Sequence, residues 1–155
     1  MVEMDSIDRR ILEVLQIDSS VSNIELAKRV HLSPSPCLSR VRALEAKQLI
    51  RSYVALLDPI QLGLQLNVFI SVSLKLQSRE ALQTFEECIC LREEVMECYL
   101  MTGESDYLIR VVVADMPSLE RFILEQLSPI AQVEKIRSSF ALKQVKYKTA
   151  LPLGA

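Results

Sequence analysis

The spacing of apolar residues changes once along this chain, and that change constrains its fold more than any other feature. Up to residue 50 the apolar positions recur three and four apart; from Leu66 they recur two apart. A period near 3.6 lays a stripe along a helix, whereas a period of two turns one face of a strand inward. A helical head followed by a sheet-bearing body is therefore expected. The chain has 155 residues, half of them apolar and a quarter charged, enough for one ordinary domain or two small ones.

The head reads as three helices. Asp5 is an N-cap, and Ile7, Ile11, Val14 and Leu15 follow it on a single stripe. Ser22, with Glu25 three residues later, forms a capping box that opens a second helix, its apolar face made by Ile24, Ala27 and Val30. After a short connection the third helix opens on "LSPSPCLSR", with Ser33 as N-cap, Pro34 first in the helix and Pro36 third. Both prolines fall where backbone N–H groups have no intrahelical acceptor, so they delete no hydrogen bond and fix where the helix begins. Projected at ~100° per residue, Cys37, Leu38, Val41, Leu44 and Glu45 gather on one side. Ser35, Pro36, Ser39, Arg40, Arg42 and Ala43 gather on the other.

Net charge is −2, but its distribution matters more than its sum. Lys28, Arg29, Arg40, Arg42, Lys47 and Arg51 face only Glu45 within their segment, whereas residues 80–97 carry six acids and one base. A basic segment centred on the third helix has the footprint of a phosphate-binding face. Its small residues allow close approach to base edges, and arginine binds guanine O6 and N7 bidentately. Three helices with a short second connection make a helix-turn-helix, whose third helix enters the major groove. The same trio also occurs as a purely structural module. On the DNA-binding reading, Arg40 reads bases with Ser39 and Arg42 assisting, Pro36 shares their face, and Ser33, Ser35 and Lys47 hold phosphates.

The body reads as β-α-β-β-α-β, a ferredoxin-like plan in the α+β class. Val68, Ile70, Val72 and Leu74 alternate inward on a first strand, and Leu82, Phe85 and Ile89 face inward from a helix. Strands at 94–102 and 106–115 follow, then a helix opening at Met116–Pro117 and carrying Leu119, Phe122, Ile123 and Leu127. A last strand spans 133–147. Residues 51–59 read as a strand leaving a winged head, and 60–63 as a hinge. The expected division is a DNA-binding domain at 1–50, a connecting strand and hinge at 51–65, and an oligomerisation domain at 66–155. Both helices cover one sheet face, leaving Met96, Tyr107 and Val112 on the other. Such a face is rarely left in water, so a homodimer paired back to back is expected.

The segment from "IDRRILEVL" through "ELAKRVHLS", "SPCLSRVRALEAKQLI" and "LLDP" resembles the Lrp/AsnC family of transcription regulators, with Gln48 where that family commonly has glycine. The body resembles the family's ACT-like effector domain. Its telling piece is "MTGESDYL", which matches a glycine-x-x-aspartate-aromatic turn at Gly103, Asp106 and Tyr107. The resemblance implies a small amino acid bound between dimers by Tyr99, Met101, Thr102, Gly103, Glu104, Asp106, Ser138 and Ser139. It also implies partners of double-stranded DNA and of the chain itself, as a dimer and then a tetramer or octamer.

Other classes fit less well. Cys37, Cys88, Cys90 and Cys98 match neither a disulfide framework nor a metal-site spacing, and read as buried reduced thiols. No apolar run is long enough for a membrane span, and "MVEMDSIDRR" lacks the order of a secretory signal, so a cytoplasmic, nucleoid-associated protein is expected. No catalytic residues, metal or cofactor are expected. His31 is the only histidine, so a decarboxylase of the tetrapyrrole type on this architecture would lack the histidines its C-terminal cleft needs. An amino-acid-sensing adaptor whose head binds protein is the remaining alternative, and steep salt dependence would mark DNA binding instead.

Overall fold

The computed structural model describes residues 4–154. They divide into two compact units, one running to Leu56 and including the chain from Val145 onward, the other spanning Leu57–Gln144.

The first unit is built on α1 (Ser6–Ile17), α2 (Asn23–Arg29) and α3 (Pro34–Ala46). The Asp5 carboxylate caps α1 by accepting from Ile7 N at 2.9 Å and Asp8 N at 2.8 Å. The Asp8 backbone N–H, and then the Arg40 guanidinium, hold that carboxyl below its ordinary pKa. Its capping contribution is thus present above ~pH 4 and lost as pH falls through the lowered value. Ser22 Oγ accepts from Glu25 N at 3.3 Å, but the Glu25 carboxylate turns to Arg29 and Lys28, so only half of the capping box forms. Ile11, Leu12, Leu26, Ala27, Val30, Cys37 and Leu44 form the core. Ile24, expected inward, is 59% exposed. The buried arc of α2 centres on Leu26, Ala27 and Val30, leaving Ile24 on the outer side. Leu38 is likewise more exposed than expected, because α3 buries the line through Cys37 and Leu44.

Helices α2 and α3 end alike. Leu32 N donates to Ala27 O at 2.9 Å and His31 N to Lys28 O at 3.2 Å; Leu49 N donates to Leu44 O at 3.0 Å and Gln48 N to Glu45 O at 2.9 Å. These are Schellman pairs, and each puts a non-glycine residue in the left-handed region: His31 at φ 58° and Gln48 at φ 57°. Gln48 eases the strain by donating Nε2 to Glu45 O at 3.2 Å. Gln48→Gly should raise the stability of this unit by ~0.5–1 kcal/mol, the left-handed penalty less the entropy glycine adds to the unfolded chain, as read by thermal unfolding.

The strand expected at 51–59 does not form, and residues 47–65 contain no strand, so the head has no wing. An extended segment needs a ladder partner, and among the described residues none pairs with it. Tyr53, Val54, Leu56 and Leu57 stay exposed. Gly63, at φ 80°, closes the turn that follows.

The second unit carries β1 (Leu66–Leu74), α4 (Arg79–Cys90), β2 (Val95–Leu100), β3 (Tyr107–Val113), α5 (Met116–Arg121) with a π-helical continuation at Phe122–Leu127, and β4 (Val133–Phe140). The sheet order is β2-β3-β1-β4 and every pairing is antiparallel. Asp115 caps α5 by accepting from Ser118 N at 2.8 Å. Val68, Ile70, Val72, Ile109 and Val111 pack against Phe85, Ile89, Leu119, Phe122 and Leu127 on one face.

Tyr107 belongs to that covered face, not to the open one. It pairs with Val72, is 1% exposed, and lies with its ring centroid 4.5 Å from that of Phe85. The open face is also less apolar than expected. Phe69, Leu108 and Val112 share it with an Arg110 side chain that donates to Asn67 Oδ1 at 3.0 Å and Glu97 Oε1 at 2.6 Å. Tyr99 Oη donates to the other Glu97 oxygen at 2.7 Å.

β4 stops at Phe140, short of the expected 147. Its pairing with β1 ends at the Val68–Phe140 pair, close to where β1 begins at Leu66. The chain from Val145 belongs to the helical unit, which corrects the expected boundary of the C-terminal domain. Leu151 N donates to Gln16 Oε1 at 2.6 Å, Gln16 Nε2 returns a bond to Leu151 O at 3.3 Å, and Arg9 donates to Gly154 O at 3.1 Å. Leu153 packs on the helical core.

The four cysteines are unpaired, and burial pushes the Cys98 thiol up to about 11. Among the described residues no helix is long and apolar enough to cross a membrane.

Candidate functional site

Helix α3 presents its outward line because Cys37 and Leu44 anchor the opposite one. At ~100° per residue, Ser35, Ser39, Arg42 and Ala46 lie within about 40° of the direction opposite Cys37. All four are exposed, as are Ser33, Pro36 and Lys47. Ser33 has the extended N-cap backbone, but its hydroxyl makes no capping bond. Asn23 Nδ2 donates to Pro34 O at 2.8 Å and ties the start of α2 to the start of α3. His31 sits exposed in the turn between these helices.

Arg40 departs from its expected place as a free base reader. Its Nη1 donates at 2.7 Å to Asp5 Oδ2 and at 2.7 Å to Asp8 Oδ1, both on or beside α1. Asp8 first, and Asp5 next, raise its pKa above the usual guanidinium value. The reason is angular: Arg40 lies ~60° from Cys37, on the flank of the buried arc, where α1 supplies the nearest carboxylates. Arg42, by contrast, makes no ion pair among the described residues.

The loop between β2 and β3 holds the second group. Met101 N donates to Asp106 O at 2.8 Å, closing a loop over Thr102, Gly103 and Glu104. Gly103 takes φ 131°, a region L side chains rarely adopt, with open space where a Cβ would stand. Asp106, expected among the ligand-binding residues, has its carboxylate already engaged. Oδ2 accepts from Leu74 N at 2.7 Å and Oδ1 from Gln77 Nε2 at 2.7 Å. The end of β1 would otherwise leave that N–H without a partner.

Ser138 and Ser139 are not brought together. Ser138 pairs with the inward-facing Ile70 and borders a helix-side groove with Leu119, Ile123 and Phe140, whereas Ser139 pairs with Phe69 on the open side. Tyr99 is exposed on the open face, and Met101, Thr102 and Glu104 are exposed at the loop.

What the loop does border is a cavity of ≈ 360 Å³ lined by Ser71, Ser73, Glu104, Ser105, Lys135 and Arg137. An adjoining one, of ≈ 500 Å³, reaches Gln77, Gly103, Asp106 and Glu134. Glu104 and Arg137, which both line the first cavity, stand 3.7 Å apart. Ser71 pairs with Arg137 and Ser73 with Lys135, so the parity that buries Val72 presents these four side chains on the open face. The signal that could have found them is that parity, whereas the family resemblance points to the hydroxyls of Ser138 and Ser139.

The AsnC-type helix-turn-helix domain model matches residues 4–45, and the Lrp/AsnC ligand binding domain model matches residues 67–151. The chain belongs to the Lrp/AsnC family. It is a DNA-binding transcriptional regulator with a ligand-binding domain. It is 44% identical to the Bkd operon transcriptional regulator of Pseudomonas aeruginosa, over 99% of this chain and 100% of that one. The leucine-responsive regulatory protein of Escherichia coli K12 is 39% identical over 96% of this chain and 91% of its own length. Among solved structures, a transcriptional regulator of Neisseria meningitidis in complex with L-Met has a TM-score of 0.93 at 40% identity, covering 97% of both chains. Gln48 reaches the left-handed turn for which glycine is common in the family, so the departure noted in the sequence leaves the turn geometry intact.

Proposed function

We propose that α3 lies in the major groove with Arg42 reading base edges, Ser39 and Ser35 beside it, and Ser33 and Lys47 on flanking phosphates. The carrying observation is the exposed line Ser35–Ser39–Arg42, set opposite the buried Cys37 and Leu44. Small hydroxyl residues on either side let the backbone approach the bases while a guanidinium reaches O6 and N7 of guanine. The regulator acts in the cytoplasm as a homo-oligomer without catalysis. Its open sheet face, with Phe69, Leu108 and Val112 around the Arg110–Glu97 pair, is the surface on which copies meet. Selection of bound duplexes from a random pool tests the reading: one two-fold symmetric consensus is expected, and indifferent recovery would refute it.

The effector is a small L-amino acid with an apolar side chain, held at the cavity beside Gly103. Lys135 and Arg137 suit a carboxylate, Glu104 an ammonium, and Ser71, Ser73 and Ser105 the remaining hydrogen bonds. The L-Met complex of the Neisseria regulator and the leucine-responsive relatives support that class. Gly103→Asp strains the loop and adds a negative charge at the cavity. It should abolish any methionine- or leucine-dependent change in assembly mass measured by analytical ultracentrifugation. A surviving response would place the ligand elsewhere.

A further inference from the structure

We propose that Arg40 is a positioning residue. It sets the angle of α3 through α1 and touches neither base nor phosphate, a role that rests on α3 being the reading helix. A single guanidinium nitrogen bridges two carboxylates, Asp5 Oδ2 and Asp8 Oδ1, at 2.7 Å each. The Arg40 side chain is 33% exposed and that of Asp8 14%, so the Asp8 contact is partly screened from water. Asp5 is the N-cap of α1 and Asp8 lies in its first turn, so both are anions favoured by the positive end of that helix.

The electrostatics run one way. Moving the guanidinium to a phosphate would leave two neighbouring carboxylates without a counter-charge beside a polyanion. Keeping it in place neutralises both and ties α3 to a helix 32 and 35 residues earlier in the chain. The tie sits on the same turn as Ser39 and one turn from Ala43, so it fixes the rotation of α3 about its own axis. That rotation decides which side chains face the groove.

The test compares Arg40→Ala, the pair Asp5→Asn with Asp8→Asn, and the triple variant. Asparagine at position 5 keeps the cap of α1. Binding to the selected duplex and to a scrambled one is measured across a salt series, at a temperature where circular dichroism shows each variant folded. If the parent does not distinguish the two duplexes, the DNA reading itself fails before any variant is compared. With a discriminating parent, Arg40→Ala and the double variant are each expected to lower the specific-to-nonspecific ratio roughly tenfold. The triple should do no worse than either, and the slope of log K against log salt should stay at the parent value. Should Arg40→Ala fail to fold, the double variant carries the comparison alone.

Three results would overturn the assignment. The first is a slope smaller by ~0.9 in Arg40→Ala, the mark of a lost phosphate contact. The second is loss of preference at a single base pair in Arg40→Ala while the double variant keeps it. The third is unchanged discrimination in the folded variants, which would reduce the bridge to a stability element.

Discussion

Arg42→Ala is expected to weaken binding to the selected duplex by roughly 5- to 150-fold per half-site, the ~1–3 kcal/mol of one bidentate contact, and to relax preference at one base pair in each. Binding to scrambled DNA should fall far less. Thermal stability should not fall, because Arg42 is exposed and alanine is the stronger helix former. Titration against duplexes substituted one base pair at a time checks this. If every substituted duplex kept its parental rank, Arg42 would not be the reader. The contrast with Arg40 is informative, since two arginines two positions apart on one helix then fail differently. One loses a contact; the other loses an orientation.

Removing residues 145–155 should destabilise the helical unit by ~2–3 kcal/mol. The sum is three exposed hydrogen bonds at Gln16 and Arg9, each near the lower end of the usual range at ~0.5 kcal/mol, together with about 1 kcal/mol from the partial burial of Leu153. So small a unit has little stability in reserve. Urea unfolding followed by far-ultraviolet circular dichroism should show the helical transition moving to lower denaturant while the sheet unit, whose core is separate, keeps its midpoint. Equal movement of both transitions, or of neither, would contradict the assignment of the tail to the helices.

Features set by neighbours in sequence were legible without the structure. Asp5 and Ser22 as caps, the helix start at Pro34 and the alternation through Val68–Leu74 each depend on backbone groups within four residues or on a strict period. What escaped depends on distant partners. Arg40 looked free because its two carboxylates lie on another helix, and Asp106 looked available because Leu74 and Gln77 are far from it in sequence. Tyr107 was misplaced by strand parity, where a shift of one residue exchanges the two faces. Ser138 and Ser139 were grouped as neighbours although adjacent strand residues point to opposite sides. The tail beyond Phe140 has apolar residues enough for a strand, but β1 offers it no further length to pair with.

The bond between Gln16 and Leu151 spans 135 positions, and that distance has a consequence during synthesis. The three helices leave the ribosome before the sheet, yet one packing contact of their fold is translated only after the whole sheet has been made. A nascent head therefore waits, incompletely buttressed, while the rest of the polypeptide is added at ~5–20 residues per second. Translation that breaks off before residue 145 yields products whose head lacks the bonds at Gln16 and Arg9 and the packing of Leu153.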